Sequence, residues 1–277
     1  MIGQARIIDK IDRWKEVPRF IILNGGRYCG KKELAKYIAN KFNQQLILIG
    51  TKIDEIRDMI KLANEYDTNL LFIIDNGNKL SLGAENTLLK ITEEAPNNAH
   101  IILAVENKDL LLPTITSRGE VFSFQDYLVR DFNEYLRNKK IIDDKSSIDE
   151  NLVYAYPNIG YIEILNLEQA KDLIGFCEKI SHHIREANGA SAFKVQEKVK
   201  LKEEQEGYDL FHFMYCLKNI CYNNLIKAVK MDDKKEYNYQ LSYVQILTEL
   251  QRMLGNPLFN KSYILDKLII DFKAVCF

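Results

Sequence analysis

The 277-residue sequence has no apolar run approaching the length of a membrane span and no cysteines spaced C-x-x-C. The first absence excludes a spanning helix, which needs about 20 consecutive apolar residues. The five cysteines (Cys29, Cys177, Cys216, Cys221 and Cys276) are odd in number and scattered, so they suggest neither a zinc site nor a disulfide framework. His100, His182, His183 and His212 lack ligand partners at suitable spacing, and no protein-ligated metal is expected. An excess of either charge is missing too. With 38 basic and 39 acidic residues the net charge is −1, which argues against a large electrostatic footprint on DNA by this chain alone. Work at DNA inside an assembly stays open. The first residues show no signal-peptide pattern, so a cytoplasmic location away from membranes is expected.

What is present describes a folded chain. Hydrophobic residues make up 47% and charged residues 28%, and the length suggests two or three domains. The first half alternates strand and helix. Apolar runs at Phe20–Asn24, Leu46–Ile49, Leu70–Asn76, His100–Val105 and Val121–Phe124 read as strands, with helices near 30–42, 53–66 and 83–94. That order predicts an α/β domain with a five-stranded parallel sheet. The second half is helical. Leu210, Met214, Leu217, Cys221 and Leu225 share one face; so do Leu241, Val244, Leu247, Leu250 and Leu254, and so do Ile264, Leu265, Leu268, Ile269 and Phe272. Lys194–Gly207 is a charged run, read as a solvated helix and turn, with nucleic-acid contact as the alternative.

One further absence lies inside a motif. Residues 25–31 complete the pattern G-x-x-x-x-G-K, from Gly25 through Gly30 to Lys31. A Ser or Thr should follow, because its hydroxyl coordinates Mg²⁺. Lys32 stands there instead, and an ammonium cannot ligate a cation. The loop lies between an apolar strand and a helical pattern (Leu34, Ile38, Phe42), so backbone N–H groups and the positive helix end would face an anion. Arg27 and Tyr28 add bulk where a phosphate would enter. A second strand ends in Asp75-Asn76. In P-loop NTPases an Asp at this point holds the metal, and in many of them a Glu follows to activate water. Asn76 has no useful basicity, and general-base assistance supplies roughly 10²–10⁴ in rate. Read alone, each motif could be a chance turn; together and in order they describe an NTPase site without its metal chemistry.

The strings Ile53-Asp54-Glu55-Ile56-Arg57, Asn86-Thr87-Leu88-Leu89-Lys90-Ile91-Thr92-Glu93-Glu94-Ala95-Pro96 and Leu112-Pro113-Thr114-Ile115-Thr116-Ser117-Arg118 resemble the clamp-loader branch of the AAA+ superfamily. Within it, the chain is most similar to the delta-prime-like subunits of bacterial DNA polymerase III, up to Gly255-Asn256-Pro257 before the last helix. The resemblance implies an AAA+ core over residues 1–126, a small helical lid over 127–169 and a helical collar over 170–277. It implies a hetero-pentamer with other clamp-loader subunits that loads a sliding clamp onto primer–template DNA. It places Arg118 where such subunits present an arginine in trans to a neighbour's ATP site; a helix-end arginine capping carbonyls is the alternative.

Nucleotide-site residues implied are Gly25, Gly30, Lys31, Lys32, Asp75 and Asn76, in degenerate form. No cofactor is required, and at most weak, vestigial ATP and Mg²⁺ binding is expected. An active NTPase, such as a helicase loader or motor subunit, is the alternative function.

Four departures from the family pattern stand out. Gly119 replaces a cysteine and should loosen local packing. Tyr161 stands where a second-domain arginine would sense nucleotide. The strand leading to Asn107 offers no clear sensor threonine, and Asn107 is a candidate substitute. No cysteine lies between Lys41 and Lys52, where many relatives carry a zinc module. A subunit interface in the collar is expected from Phe211, Phe213, Met214, Tyr215 and Tyr222, because Phe211 and Phe213 cannot both face one stripe.

Overall fold

The computed structural model describes residues 1–186, 194–206, 209–254 and 259–275. They fall into two compact units, Met1–Asp144 with Asn158–Gly160, and Lys145–Pro157 with Tyr161–Phe277.

In the first unit the elements run α1 (Ala5–Asp12), β1 (Phe20–Asn24), α2 (Lys31–Lys41), β2 (Gln45–Ile49), α3 (Ile53–Glu65), β3 (Leu70–Ile74), α4 (Leu82–Glu94), β4 (Ala99–Val105), α5 (Pro113–Thr116), β5 (Glu120–Ser123) and α6 (Val129–Asn138). The five expected strands are all present, within two residues of their predicted ends. They form one sheet in the order β2-β3-β4-β1-β5, and every pairing is parallel.

The strands read as near-continuous apolar runs because helices cover both faces of the sheet. Phe20, Ile22, Phe72, Ile74 and Leu103 turn one way, against Ile56 and Met59 of α3 and Leu88 and Ile91 of α4. Ile21, Leu23, Leu71, Ile73 and Ile102 turn the other way, against Ile7 and Ile11 of α1 and Leu34 and Ile38 of α2. Strand period 2 and helix period 3.6 thus build a three-layer core.

Helix starts follow local chemistry. The Ser81 hydroxyl accepts from the Ala84 N–H at 3.2 Å and caps α4. Gly30 caps α2 with φ +94°, a conformation that only glycine adopts without strain.

The second unit holds two short 3₁₀ turns (Glu150–Ala155 and part of Ile159–Glu163) and the helices α7 (Leu167–Glu186), α8 (Lys194–Glu206), α9 (Leu210–Lys230), α10 (Lys234–Leu254) and α11 (Lys261–Val275). The charged run is a helix with Val195 and Val199 buried beneath it. The α11 stripe is buried as expected, and the α9 stripe is buried through Cys221, with Leu225 half-buried.

The α10 stripe differs. Its buried line is Gln240, Tyr243, Leu247 and Leu250, while Leu241, Val244 and Leu254 are half-buried. Tyr243 stacks on Phe272 with centroids 4.0 Å apart, and Gln240 Nε2 donates to Glu236 Oε1 at 2.7 Å. A polar residue that satisfies its donor locally can therefore sit in a face that apolar periodicity alone would rotate away.

The expected second face of α9 is also covered from within this unit. Phe213 is buried beside Phe176, with centroids 5.9 Å apart. Phe211 is half-buried and stacks on Tyr215. Tyr222 alone of the named aromatics is exposed, at 55%. The Gly255-Asn256-Pro257 segment lies outside the described residues.

Candidate functional site

β1 delivers the chain to the loop. The Gly25 N–H donates to the Val105 carbonyl at 3.0 Å, extending the sheet ladder by one residue before the turn. A Cβ on Gly25 would stand 2.8 Å from Cys29 Sγ and 2.9 Å from Phe124 Cβ, so the turn is closed to larger residues. The loop borders a cleft of about 460 Å³ whose lining includes Arg27, Lys31, Lys32, Asp75, Asn76 and Glu106. Gly30, Lys31, Lys32, Asp75 and Asn76 are thus brought together as expected, with Gly25 at the loop's base.

Their bonding is internal. Lys31 Nζ folds back onto the loop and donates to the carbonyls of Gly25 at 2.5 Å and Gly26 at 2.7 Å. Lys32 Nζ lies 2.9 Å from Asp75 Oδ2. Asn76 has φ +59°, a left-handed conformation that asparagine tolerates, and its amide lies 3.4 Å from the same Asp75 oxygen. A divalent cation does not fit this arrangement. The residue that should supply a hydroxyl ligand supplies an ammonium, and that ammonium already neutralises the carboxylate.

Three contacts that sequence reasoning missed hold the loop. Arg27 Nε reaches Glu106 Oε1 at 2.7 Å, Asn158 Nδ2 donates to the Arg27 carbonyl at 2.7 Å, and the Tyr127 hydroxyl donates to the Cys29 carbonyl at 2.7 Å. Burial pushes the Tyr127 hydroxyl far up, so it stays a donor. Burial raises the Cys29 thiol as well, with Lys31 offsetting only part of the shift. The tyrosine and asparagine lie about a hundred residues or more from the loop, and no local motif marks them.

Arg118 lies elsewhere. It follows α5 and precedes β5, an edge strand whose Glu120 is in register with Ile21 at the start of β1. The phosphate loop follows the other end of β1, a strand length of roughly 15 Å away. Arg118 Nη2 lies 2.5 Å from Glu93 Oε1, and Nη1 donates to the Leu89 carbonyl at 3.4 Å. The carbonyl contact is the one the alternative reading anticipated, yet 41% of the side chain remains exposed.

The turn that carries Arg118 is anchored by Glu85, a buried carboxylate whose Oε2 accepts from the Leu112 N–H at 3.0 Å. Its position in the first turn of α4, one residue before the Asn86 string, was the available signal.

Gly119 corrects an expectation. A Cβ there would stand 2.7 Å from both Cγ1 and Cδ1 of Ile22 and 3.1 Å from Phe20. Packing is tight, not loosened, because Ile22 and Phe20 occupy the space. The Asn107 side chain accepts from the Asp109 N–H at 2.9 Å and caps a 3₁₀ turn. Tyr161 is buried in the second unit, edge-on to His212 at 4.4 Å. Among the described residues, no group of three or more His, Cys, Asp or Glu could hold a metal ion, and no helix is long and apolar enough to cross a membrane.

The parallel sheet in this order carries a glycine loop after β1 and an aspartate after β3. A RuvB mutant from Thermotoga maritima has the same fold at TM-score 0.50, with 17% identity over 98% of this chain and 87% of that one. Residues 45–127 match the family described as DNA polymerase III, delta subunit. DNA polymerase III subunit tau of Bacillus subtilis is 40% identical over 74 residues, 27% of this chain and 13% of its own length. DNA polymerase III subunit gamma of Buchnera aphidicola is 26% identical over 205 residues, 60% of this chain and 56% of its own. Parts of the chain are thus similar to subunits of DNA polymerase III. The chain spans 13% and 56% of the lengths of these two relatives.

Proposed function

We propose that this chain is a non-hydrolysing clamp-loader subunit, similar to delta-prime, that supplies Arg118 in trans to a neighbour's ATP site. The observation that carries the first part is the Lys32–Asp75 ion pair, which occupies both groups a catalytic metal would need. Arg118 supports the second part, being half exposed and at the opposite end of β1 from its own loop. A guanidinium inserted from outside stabilises charge spread over the transferring phosphoryl group.

In this reading residues 127–169 form the lid and residues 170–277 the collar of a cytoplasmic hetero-pentamer that places a sliding clamp on primer–template DNA. The loop binds ATP weakly or not at all, since Lys31 is engaged by its own carbonyls.

Two ATPase assays test the reading. The isolated chain should not turn over ATP; turnover at the rate of the catalytic subunits would favour an active NTPase instead. In the complex, Arg118→Ala should leave assembly intact and slow DNA-stimulated hydrolysis. Unchanged hydrolysis would reduce Arg118 to a structural residue.

A further inference from the structure

One helix grips the Arg118 guanidinium at two points. Glu93 Oε1 meets Nη2 at 2.5 Å, and the Leu89 carbonyl meets Nη1 at 3.4 Å. Leu89 and Glu93 are four residues apart on α4, so both acceptors lie on the same face, one turn apart. Arg118 and Glu93 line a cleft of about 400 Å³ that also contains Glu120. Glu120 is already engaged by Lys10 Nζ at 2.7 Å, which leaves Glu93 as the carboxylate that serves Arg118.

Both members are exposed, 41% for Arg118 and 58% for Glu93, and ion pairs in that setting add little to stability. What the pair does is geometric. An arginine at the end of a short turn would otherwise sample many rotamers, and its planar fork is useful only in a fixed orientation. A guanidinium has five N–H groups; two point at α4, and the rest are left for an anion.

We propose that Glu93 is a positioning residue. Its carboxylate, together with the Leu89 carbonyl, orients Arg118 before a neighbouring subunit docks, so that the remaining N–H edge meets the phosphate oxygens of the neighbour's nucleotide. The inference rests on the in-trans reading above and adds a residue to it. The competing arrangement has Glu93 as a place-holding anion that the incoming phosphate must displace. The two differ in sign: removing a brace slows the reaction, whereas removing a competitor speeds it.

The test uses the full complex, reconstituted with its catalytic subunits, with Arg118→Ala, Glu93→Ala, Glu93→Gln and the double alanine variant. Subunit assembly, kcat and KM for DNA-stimulated ATP hydrolysis are measured for each. Glu93→Ala should lower kcat about tenfold with KM and assembly unchanged, less than the roughly 10²-fold that a 1 Å misplacement can cost, because the Leu89 carbonyl still holds one edge. Glu93→Gln keeps an acceptor oxygen at the same reach and should restore most of the rate. The double variant should be no slower than Arg118→Ala alone, since the two residues act as a unit. A normal or raised kcat in Glu93→Ala, with Arg118→Ala slow, overturns the positioning role and leaves the in-trans reading standing. A normal kcat in Arg118→Ala overturns both.

Discussion

The ammonium of Lys32 lies 2.9 Å from the carboxylate of Asp75, so the two side chains whose positions would share a metal ion are joined to each other. The charge of the carboxylate is balanced without a ligand. Mg²⁺ should therefore leave the thermal unfolding of the isolated chain unchanged. The pair is part-exposed, 52% on the lysine and 24% on the aspartate. Lys32→Ala should cost no more than about 1 kcal/mol in urea unfolding. Lys32→Thr combined with Asn76→Glu should make the unfolding temperature respond to Mg²⁺ with ATP. A wild-type chain stabilised by Mg²⁺ would contradict this account of the pair.

Gly119 tests whether tight packing, and not backbone freedom, selects its residue. The family-like Gly119→Cys places a Cβ within 2.7 Å of Ile22 and should cost about 1–3 kcal/mol through overpacking. Adding Ile22→Val removes the clashing Cδ1 and should recover part of that loss. Chemical denaturation of the three variants checks the coupling, and additive costs would show that Ile22 is not the obstacle.

Glu85 offers a separate handle on the Arg118 turn. Glu85→Ala leaves the half-buried Leu112 amide without its acceptor, at a cost of about 1 kcal/mol. Hydrogen exchange should quicken at Leu112 and through α5, while amides of β2 and β3 keep their protection. Uniform acceleration across the sheet would mean that Glu85 supports the whole core instead.

Much of this was legible in the sequence, for identifiable reasons. Strands buried on both faces, such as Leu70–Ile74, are apolar at every position and are bounded by polar residues. Loop chemistry at Lys32 and Asn76 was readable because one wrong side-chain type in a fixed pattern has a defined consequence. What stayed hidden depends on three-dimensional neighbours. Tyr127 and Asn158 hold the loop from about a hundred residues or more away, Ile22 fills the space beside Gly119, and Gln240 joins a buried face by bonding to Glu236. No local period reports such contacts.

His100 on β4 gives a pH dependence with a definite sign. Burial is the main cause that pulls its pKa below the ordinary 6.5, with a backbone contact to the Pro18 carbonyl acting weakly against it. The unfolded chain then binds the proton more readily than the folded one. Stability is therefore complete above about pH 6.5 and declines as the pH falls below it, levelling off once the folded-state value is passed. His100→Gln should flatten the stability profile in the window just below pH 6.5. An unchanged slope in that window would assign it to other groups.

Of the α9 residues that suggest a collar contact, Tyr222 remains exposed. Phe213 and Met214 are consumed by the unit's own core. Tyr222, Ile226 and Val229, spaced four and three residues apart, expose 55%, 39% and 61% of their surface and form one stripe on the helix. If residues 170–277 hold partner subunits, this stripe is the apolar surface that α9 has left to offer. Ile226→Glu with Val229→Glu should weaken association with partner subunits at least tenfold in sedimentation, since burying unpaired carboxylates in a contact is costly. Because both positions are outside the core, the unfolding temperature of the isolated chain should stay within about 2 °C of wild type, as expected for surface substitutions. Full association by the charged variant would exclude this face of α9 from the assembly and leave the collar to be sought on α10 or α11.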